Sequence, residues 1–212
     1  MQRYFVNRAA FQDGYVHLRG EEAHHITRVM RMTAGDEIIC ANGHASALCK
    51  LEKILADSVV ASVTEWLEEC SELPHNVTIA QGMPKGDKLE FIIQKGTELG
   101  ASHFLPFYSS RSIVKWTSEK ATKKVVRLEK IAKEAAEQSH RQMVPSVSTP
   151  VPFDSLLKLS VNYQLKIVAY EEEARNNKKN ELPQRLQALH KEQTILFVVG
   201  PEGGFTREEI AE

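Results

Sequence analysis

Val198-Val199-Gly200-Pro201-Glu202-Gly203-Gly204-Phe205-Thr206 reads as an apolar strand that breaks into a glycine-rich turn and re-enters order as a helix. Thr206 with Glu209 three residues on matches a capping box, which satisfies the free N–H groups of a first helical turn reciprocally. A strand, turn and helix of this kind suit an open α/β sheet, and such sheets bind ligands at the carboxyl ends of their strands. Gly203 and Gly204 lack Cβ atoms, so their N–H and C=O groups stay accessible to a ligand such as adenosine. The spacing is neither GxxxxGK(S/T) nor GxGxxG, and Glu202 would repel a phosphate. Taken by itself the stretch is equally an ordinary strand-to-helix turn.

Working backwards, strands are expected at 194–199, 165–170, 103–107 and 77–81, with helices at 182–190, 118–141 and from Asp87 onward. Asp87 is the expected N-cap with Glu90 three residues on, and Leu89, Ile92, Ile93 and Gly96 the buried stripe, Gly96 allowing close packing. Strand alternating with helix implies a parallel, helix-covered sheet. Residues 68–76 contain Pro74 and many polar side chains and read as a linker, so the boundary falls near Leu73: 1–73 and 74–212 are the two expected domains.

Before the linker the pattern is one of short strands: Tyr15-Val16-His17-Leu18, 37–41, 44–51 and 59–63. Asn42-Gly43 suits a type I′ turn joining the second and third of these, and a small β-barrel is the economical reading. One segment, 22–32, has helical spacing with Ala23, Ile26, Val29 and Met30 on one side. His24, Arg28 and Arg31 fall opposite at i, i+4 and i+7, a row of potential cations suited to a phosphate backbone or simply an exposed polar face.

With 212 residues, 42% hydrophobic and 26% charged, the chain has the composition of a globular protein of about two domains, outside the disordered and fibrous classes. It has no basic-then-apolar start and no run of some eighteen apolar residues, which points to the cytoplasm. Cys40, Cys49 and Cys70 are odd in number and lack CxxC spacing, as expected of reduced thiols. His24-His25 has no metal-ligand spacing, so no metal is expected. The net charge of −1 is unevenly spread: basic residues crowd 111–130, acidic ones 65–72 and 171–173.

Two further constellations bear on chemistry. Along the 118–141 helix, Val125, Leu128, Ile131, Ala132 and Ala135 form the core stripe, and Arg127, Glu134, Gln138 and Arg141 align on its flank. Either this flank carries a base and cations for proton removal, with Glu137 as a second carboxylate, or it is a salt-bridged surface. The loop 106–116 mixes Arg111 and Lys115 with Tyr108 and Trp116, as single-stranded RNA recognition requires, although Trp116 equally suits a core anchor.

Six ordered stretches together resemble the RsmE family of SPOUT-class methyltransferases: Arg3-Tyr4-Phe5; His24-His25-Ile26-Thr27-Arg28-Val29-Met30-Arg31; Lys85-Gly86-Asp87-Lys88 with Gln94-Lys95-Gly96-Thr97-Glu98-Leu99-Gly100; Arg111-Ser112-Ile113-Val114-Lys115; Glu134-Ala135-Ala136-Glu137-Gln138-Ser139 with Arg141; and Gly200-Pro201-Glu202-Gly203-Gly204. The resemblance implies an α/β protein in which a small PUA-like β-barrel precedes a SPOUT-type α/β domain with a C-terminal trefoil knot. In the family a strand, an arginine-bearing loop and a terminal helix beyond the GPEGG helix complete that knot, so it is expected to be incomplete at Glu212.

The implied activity is methyl transfer from S-adenosylmethionine to N3 of a uridine in 16S ribosomal RNA, within the small ribosomal subunit and by a homodimer. Carried onto this chain, the catalytic set is Glu134, Glu137, Gln138, Arg141 and Arg111. The cofactor set is Ala169, Tyr170, Val199, Gly200, Pro201, Glu202, Gly203 and Gly204. The RNA set is Arg3, His24, Arg28, Arg31, Lys85, Lys88, Arg111 and Lys115. Two other classes compete: an inert RNA-binding or ribosome-assembly protein of the same fold, and a nucleotide hydrolase using the 85–88 turn, which lacks a phosphate loop and metal ligands.

Overall fold

Alternation of apolar and polar residues builds β1 (Gln2–Phe5), β2 (Phe11–Gln12), β3 (Tyr15–Arg19), β4 (Glu37–Ala41), β5 (Ser46–Ile54) and β6 (Ser58–Leu67). The computed structural model describes residues 1–68, 71–170 and 182–212; Cys70 and the acidic positions 171–173 lie outside them. The strands pair in the order β1-β4-β5-β6-β3-β2, with β1 parallel to β4 and the other pairs antiparallel. Val16, Leu18, Ile38, Cys40, Cys49, Leu51 and Val59 share one core with Ala23 and Ile26. By its internal contacts this unit comprises Met1–Glu72 and Ala136–Val144, and a second comprises Leu73–Ala135 and Pro145–Glu212.

The turn chemistry differs from the expectation at Asn42-Gly43. Only Gly43 has positive φ (88°), and the Asn42 side chain accepts the N–H groups of His44 and Ala45 at 3.1 and 3.0 Å, closing a loop between Ala41 and Ser46. β5 therefore starts at Ser46 rather than at position 44. Positive φ at two successive residues, the signature of a type I′ turn, occurs instead at Asp13 (49°) and Gly14 (81°), which join β2 to β3.

The 22–32 helix is also reshaped. A short helix α1 (Glu21–His24) runs into a single wide turn over His25–Val29, with the hydrogen bond from Met30 N–H to His25 C=O closing it. The extra residue in that turn rotates everything after it. Ala23 and Ile26 stay buried, but Val29 and Met30 are 57% and 40% exposed, and Arg31 leaves the helix with φ of 53°.

In the second unit all strand pairs are parallel: β7 (Asn76–Gly82), β8 (His103–Tyr108), β9 (Ser146–Val147), β10 (Val151–Pro152), β11 (Leu165–Ala169) and β12 (Thr194–Val199). Their order is β10-β8-β7-β12-β11, with β9 also on β8. Among the described residues its helices are α2 (Lys88–Glu98), α3 (Ser118–Gln138), α4 (Phe153–Ser160), α5 (Leu182–Gln187) and α6 (Arg207–Ala211). Leu105, Phe107, Leu156, Leu196 and Phe205 pack together, and the Phe107 and Phe205 rings stack 6.2 Å apart. Phe205 anchors the GPEGG turn to the sheet in this way. Among the described residues no helix is long and apolar enough to cross a membrane.

Asp87 precedes α2 but makes no side-chain cap, and Glu90 pairs with Arg127 at 2.9 Å. Gly96 is needed for packing, since a Cβ there would lie 2.6 Å from the Phe104 ring. In α3, Ala121, Leu128, Ala132 and Ala135 are buried, and Val125 and Ile131 half-buried. The helix stops at Gln138, and His140 takes φ of 57°, so Arg141 is not the next residue of the flank.

Candidate functional site

Parallel pairing brings three strand ends into register: Ala169 of β11 lies beside Val199 of β12, and Val199 beside Gln81 of β7. The loop that leaves β12 therefore starts at the carboxyl edge of the sheet, between two neighbouring strand termini. Gln81 is buried and its Nε2 donates to the carbonyl of Gly200 at 3.1 Å and of Gly82 at 2.9 Å. At Gly82 a Cβ would stand 2.5 Å from Pro201 Cδ and 2.6 Å from its nitrogen, so the backbones approach as closely as glycine permits.

Two further segments hold the loop. Glu202 accepts from Lys88 Nζ at 2.6 Å and from the backbone N–H of Lys85 at 3.2 Å. The Lys88 hydrogen bond, then the N–H groups of Glu202 and Lys85, lower its pKa to about 2. Arg111 Nη1 donates to the Gly203 carbonyl at 2.6 Å, and its stem lies over Gly203, 3.3 Å from where a Cβ would sit. Gly204 has φ of 66° and donates to the Pro201 carbonyl at 2.8 Å. The expected capping box is present, and Glu209 of α6 also accepts from the N–H and hydroxyl of Ser110 at 2.7 and 3.0 Å.

The exposed backbone of the rim belongs to Gly203, flanked by the Arg111 guanidinium on its carbonyl and by the ionised Glu202, which is joined to Lys88. Ala169 is exposed, while Tyr170, Val199, Gly200 and Gly204 are half-buried and Pro201 is buried. An adenosine-bearing cofactor fits the cradle through backbone groups. Gln81 and Gly82 belong to this site although the sequence reading passed over them; a glycine closing an apolar strand is the signal of a close backbone approach.

The remaining expected site residues divide. Glu134 and Gln138 are exposed on α3, Glu137 is half-buried, and Arg127 is engaged by Glu90. Arg141 is only 2% exposed, and its guanidinium holds Glu72, whose carboxylate also accepts the N–H groups of Gln142 and Met143 at 2.8 and 3.2 Å. Arg3 is buried as well, donating to Ser46 Oγ at 2.8 Å and to the Arg141 carbonyl at 3.0 Å. Burial lowers the Arg3 pKa, against the opposing pull of Glu72. These two arginines are a clasp inside the first unit, where removing one charge of such a pair costs about 3–5 kcal/mol.

His24, Arg28, Arg31, Lys85, Lys88 and Lys115 are exposed. The straight row of His24, Arg28 and Arg31 does not form, because the wide turn and the left-handed Arg31 break the helical spacing. Trp116 is half-buried, its N–H bonds the Tyr108 hydroxyl at 3.0 Å, and Lys124 Nζ lies 5.0 Å from its ring centroid.

Comparison with known proteins agrees with this two-unit organisation. Residues 71–212 match the model of an RNA methyltransferase domain, and residues 18–64 that of an RNA methyltransferase PUA domain. Ribosomal RNA small subunit methyltransferase E of Bacillus subtilis (strain 168) is 46% identical over 99% of this chain and 84% of its own length. The protein of the same name from Mesomycoplasma hyopneumoniae (strain 232) is 29% identical over 100% of this chain and 86% of its own. A crystal structure of the Neisseria gonorrhoeae enzyme of that name, bound to S-adenosyl methionine, superposes with a TM-score of 0.77 at 28% identity, covering 100% of this chain and 84% of that one. A PUA-type unit followed by a methyltransferase unit, matched along nearly the whole chain at this identity, places the protein in the ribosomal RNA small subunit methyltransferase E family.

Proposed function

We propose that this chain methylates N3 of one uridine in 16S ribosomal RNA, with S-adenosylmethionine as donor and the small ribosomal subunit as its setting. Membership of the family supports RNA methyl transfer, and the cofactor bound by the gonococcal relative supports the donor. The observation that carries the reading is the register of Ala169, Val199 and Gln81 beneath a glycine loop tied to Arg111.

When bound, the sulfonium supplies an electrophilic methyl group. The N3–H proton of uridine must leave before or during the transfer, and that task falls to the chain. Of the two carboxylates in the 134–139 stretch, Glu134 is the assigned acceptor, because it is exposed, whereas Glu137 is half-buried and lies in the unit containing Tyr4. Arg111, seated on Gly203, steadies charge on the uridine carbonyl oxygens. Residues 74–212 thus carry the chemistry. Residues 1–73, with His24, Arg28 and Arg31, dock the RNA, assisted by Lys85 and Lys115. The acting form is a homodimer in the cytoplasm, a state that sedimentation measures directly.

Single-turnover methylation with saturating RNA and cofactor tests the assignment. Glu134→Gln is expected to slow transfer at least about tenfold with cofactor affinity by calorimetry unchanged. A wild-type rate across neutral and alkaline pH would remove Glu134 from the chemistry. Mapping of methylated uridines in 16S RNA from cells lacking the protein tests the substrate.

A further inference from the structure

We propose that a cleft on the first unit, at the β2–β3 hairpin, receives an arginine side chain from a basic protein segment. Phe11 and Trp66 stack there with centroids 5.4 Å apart and planes 28° apart. Trp66 is 52% exposed and Tyr15 46%, so two aromatic surfaces stay open to solvent beside a cleft of about 520 Å³. The hairpin is held in place by the N–H of Val63, which donates to the Gly14 carbonyl at 2.8 Å.

Polar chemistry selects the occupant. Gln12 already donates to the Ala9 carbonyl at 3.0 Å and Thr64 to the Leu48 carbonyl at 3.0 Å. Asp13 and Glu65 are exposed carboxylates with no hydrogen bond or ion pair among the described residues, and no lysine, arginine or histidine lines the cleft. Two exposed carboxylates and exposed aromatic rings among the residues lining the cleft repel a phosphate backbone and attract a cation. Arginine fits better than lysine because its planar guanidinium stacks on an indole while donating bidentately to a carboxylate. The cleft is distant in chemistry from methyl transfer, and the proposal does not depend on that reading.

The test follows the indole N–H of Trp66 by NMR in the full chain, which has two tryptophans, so Trp66→Phe assigns the signal. The probe is a blocked peptide of alternating glycine and arginine. The Trp66 signal is expected to shift saturably, and Asp13→Asn with Glu65→Gln to weaken binding by about tenfold or more. Both replacements preserve size, and asparagine accepts the left-handed φ of position 13. The proposal is overturned by an absent shift, by an equal response to the same peptide with neutral citrulline for arginine, by a response to oligouridylate instead of the peptide, or by a concentration-dependent shift without peptide, which would mean a second copy.

Discussion

The Glu202 carboxylate collects an ammonium and two backbone N–H groups, and each favours its charged form. A carboxyl group with a depressed folded pKa contributes stability above its unfolded value and loses it as pH falls through the folded value. For Glu202 the window runs from the ordinary value of 4.5 down to about 2, so the clamp on the GPEGG loop is complete at neutral pH and opens only in strong acid. Carbon-detected NMR titration of the Glu202 carboxyl should give a midpoint near 2, and Lys88→Met should move it up toward 4.5. An unmoved midpoint would transfer the cause from Lys88 to the backbone donors. The same pair ties Lys88, expected at RNA from the sequence, to the GPEGG loop.

At the level of elements, two glycines of the second unit separate packing from site geometry. Gly96 seats α2 on the Phe104 ring, and Gly82 seats the end of β7 on Pro201. Gly96→Ala should lower stability by about 1–3 kcal/mol in denaturant unfolding, the cost of overpacking a core, with cofactor affinity retained by the folded fraction. Gly82→Ala should instead weaken cofactor affinity by about tenfold or more, because the added methyl meets backbone and the proline ring, so the loop must move. Equal affinity losses in the two variants would mean that the loop responds to general loosening of the sheet and not to its own seat.

Across the whole molecule the net charge of −1 leaves RNA binding to local basic surfaces. Arg28 and Arg31 remain exposed cations beside exposed His24, Val29 and Met30, although the wide turn prevents a straight row. Replacing Arg28 and Arg31 by glutamine should raise KM for RNA without changing the rate at saturation. The log–log salt slope of binding should fall by about 0.7 for each single-strand phosphate that the protein no longer neutralises. A slope equal to that of the wild type would assign docking to other cations.

Periodicity and turn chemistry were sufficient for the parallel sheet, the long helix, the Thr206–Glu209 cap and the glycine loop, because each is decided by neighbours within a few residues. Asn42-Gly43 and Asp13-Gly14 mark the limit of that reasoning. Both dipeptides permit a type I′ turn, and strand register selected the second, while the Asn42 side chain captured the first. The roles of Arg3 and Arg141 were beyond local reading for the same reason. Nothing near either arginine in the chain announces Glu72 or Ser46, which lie 69 residues from Arg141 and 43 from Arg3, respectively, and the charge pattern alone makes both look like surface cations. Tertiary structure buried them, since a guanidinium leaves water only where carboxylate and carbonyl acceptors are assembled around it. It also gave Gln81 and Gly82 their place under the loop, by laying β12 in register beside β7 across more than a hundred residues of chain.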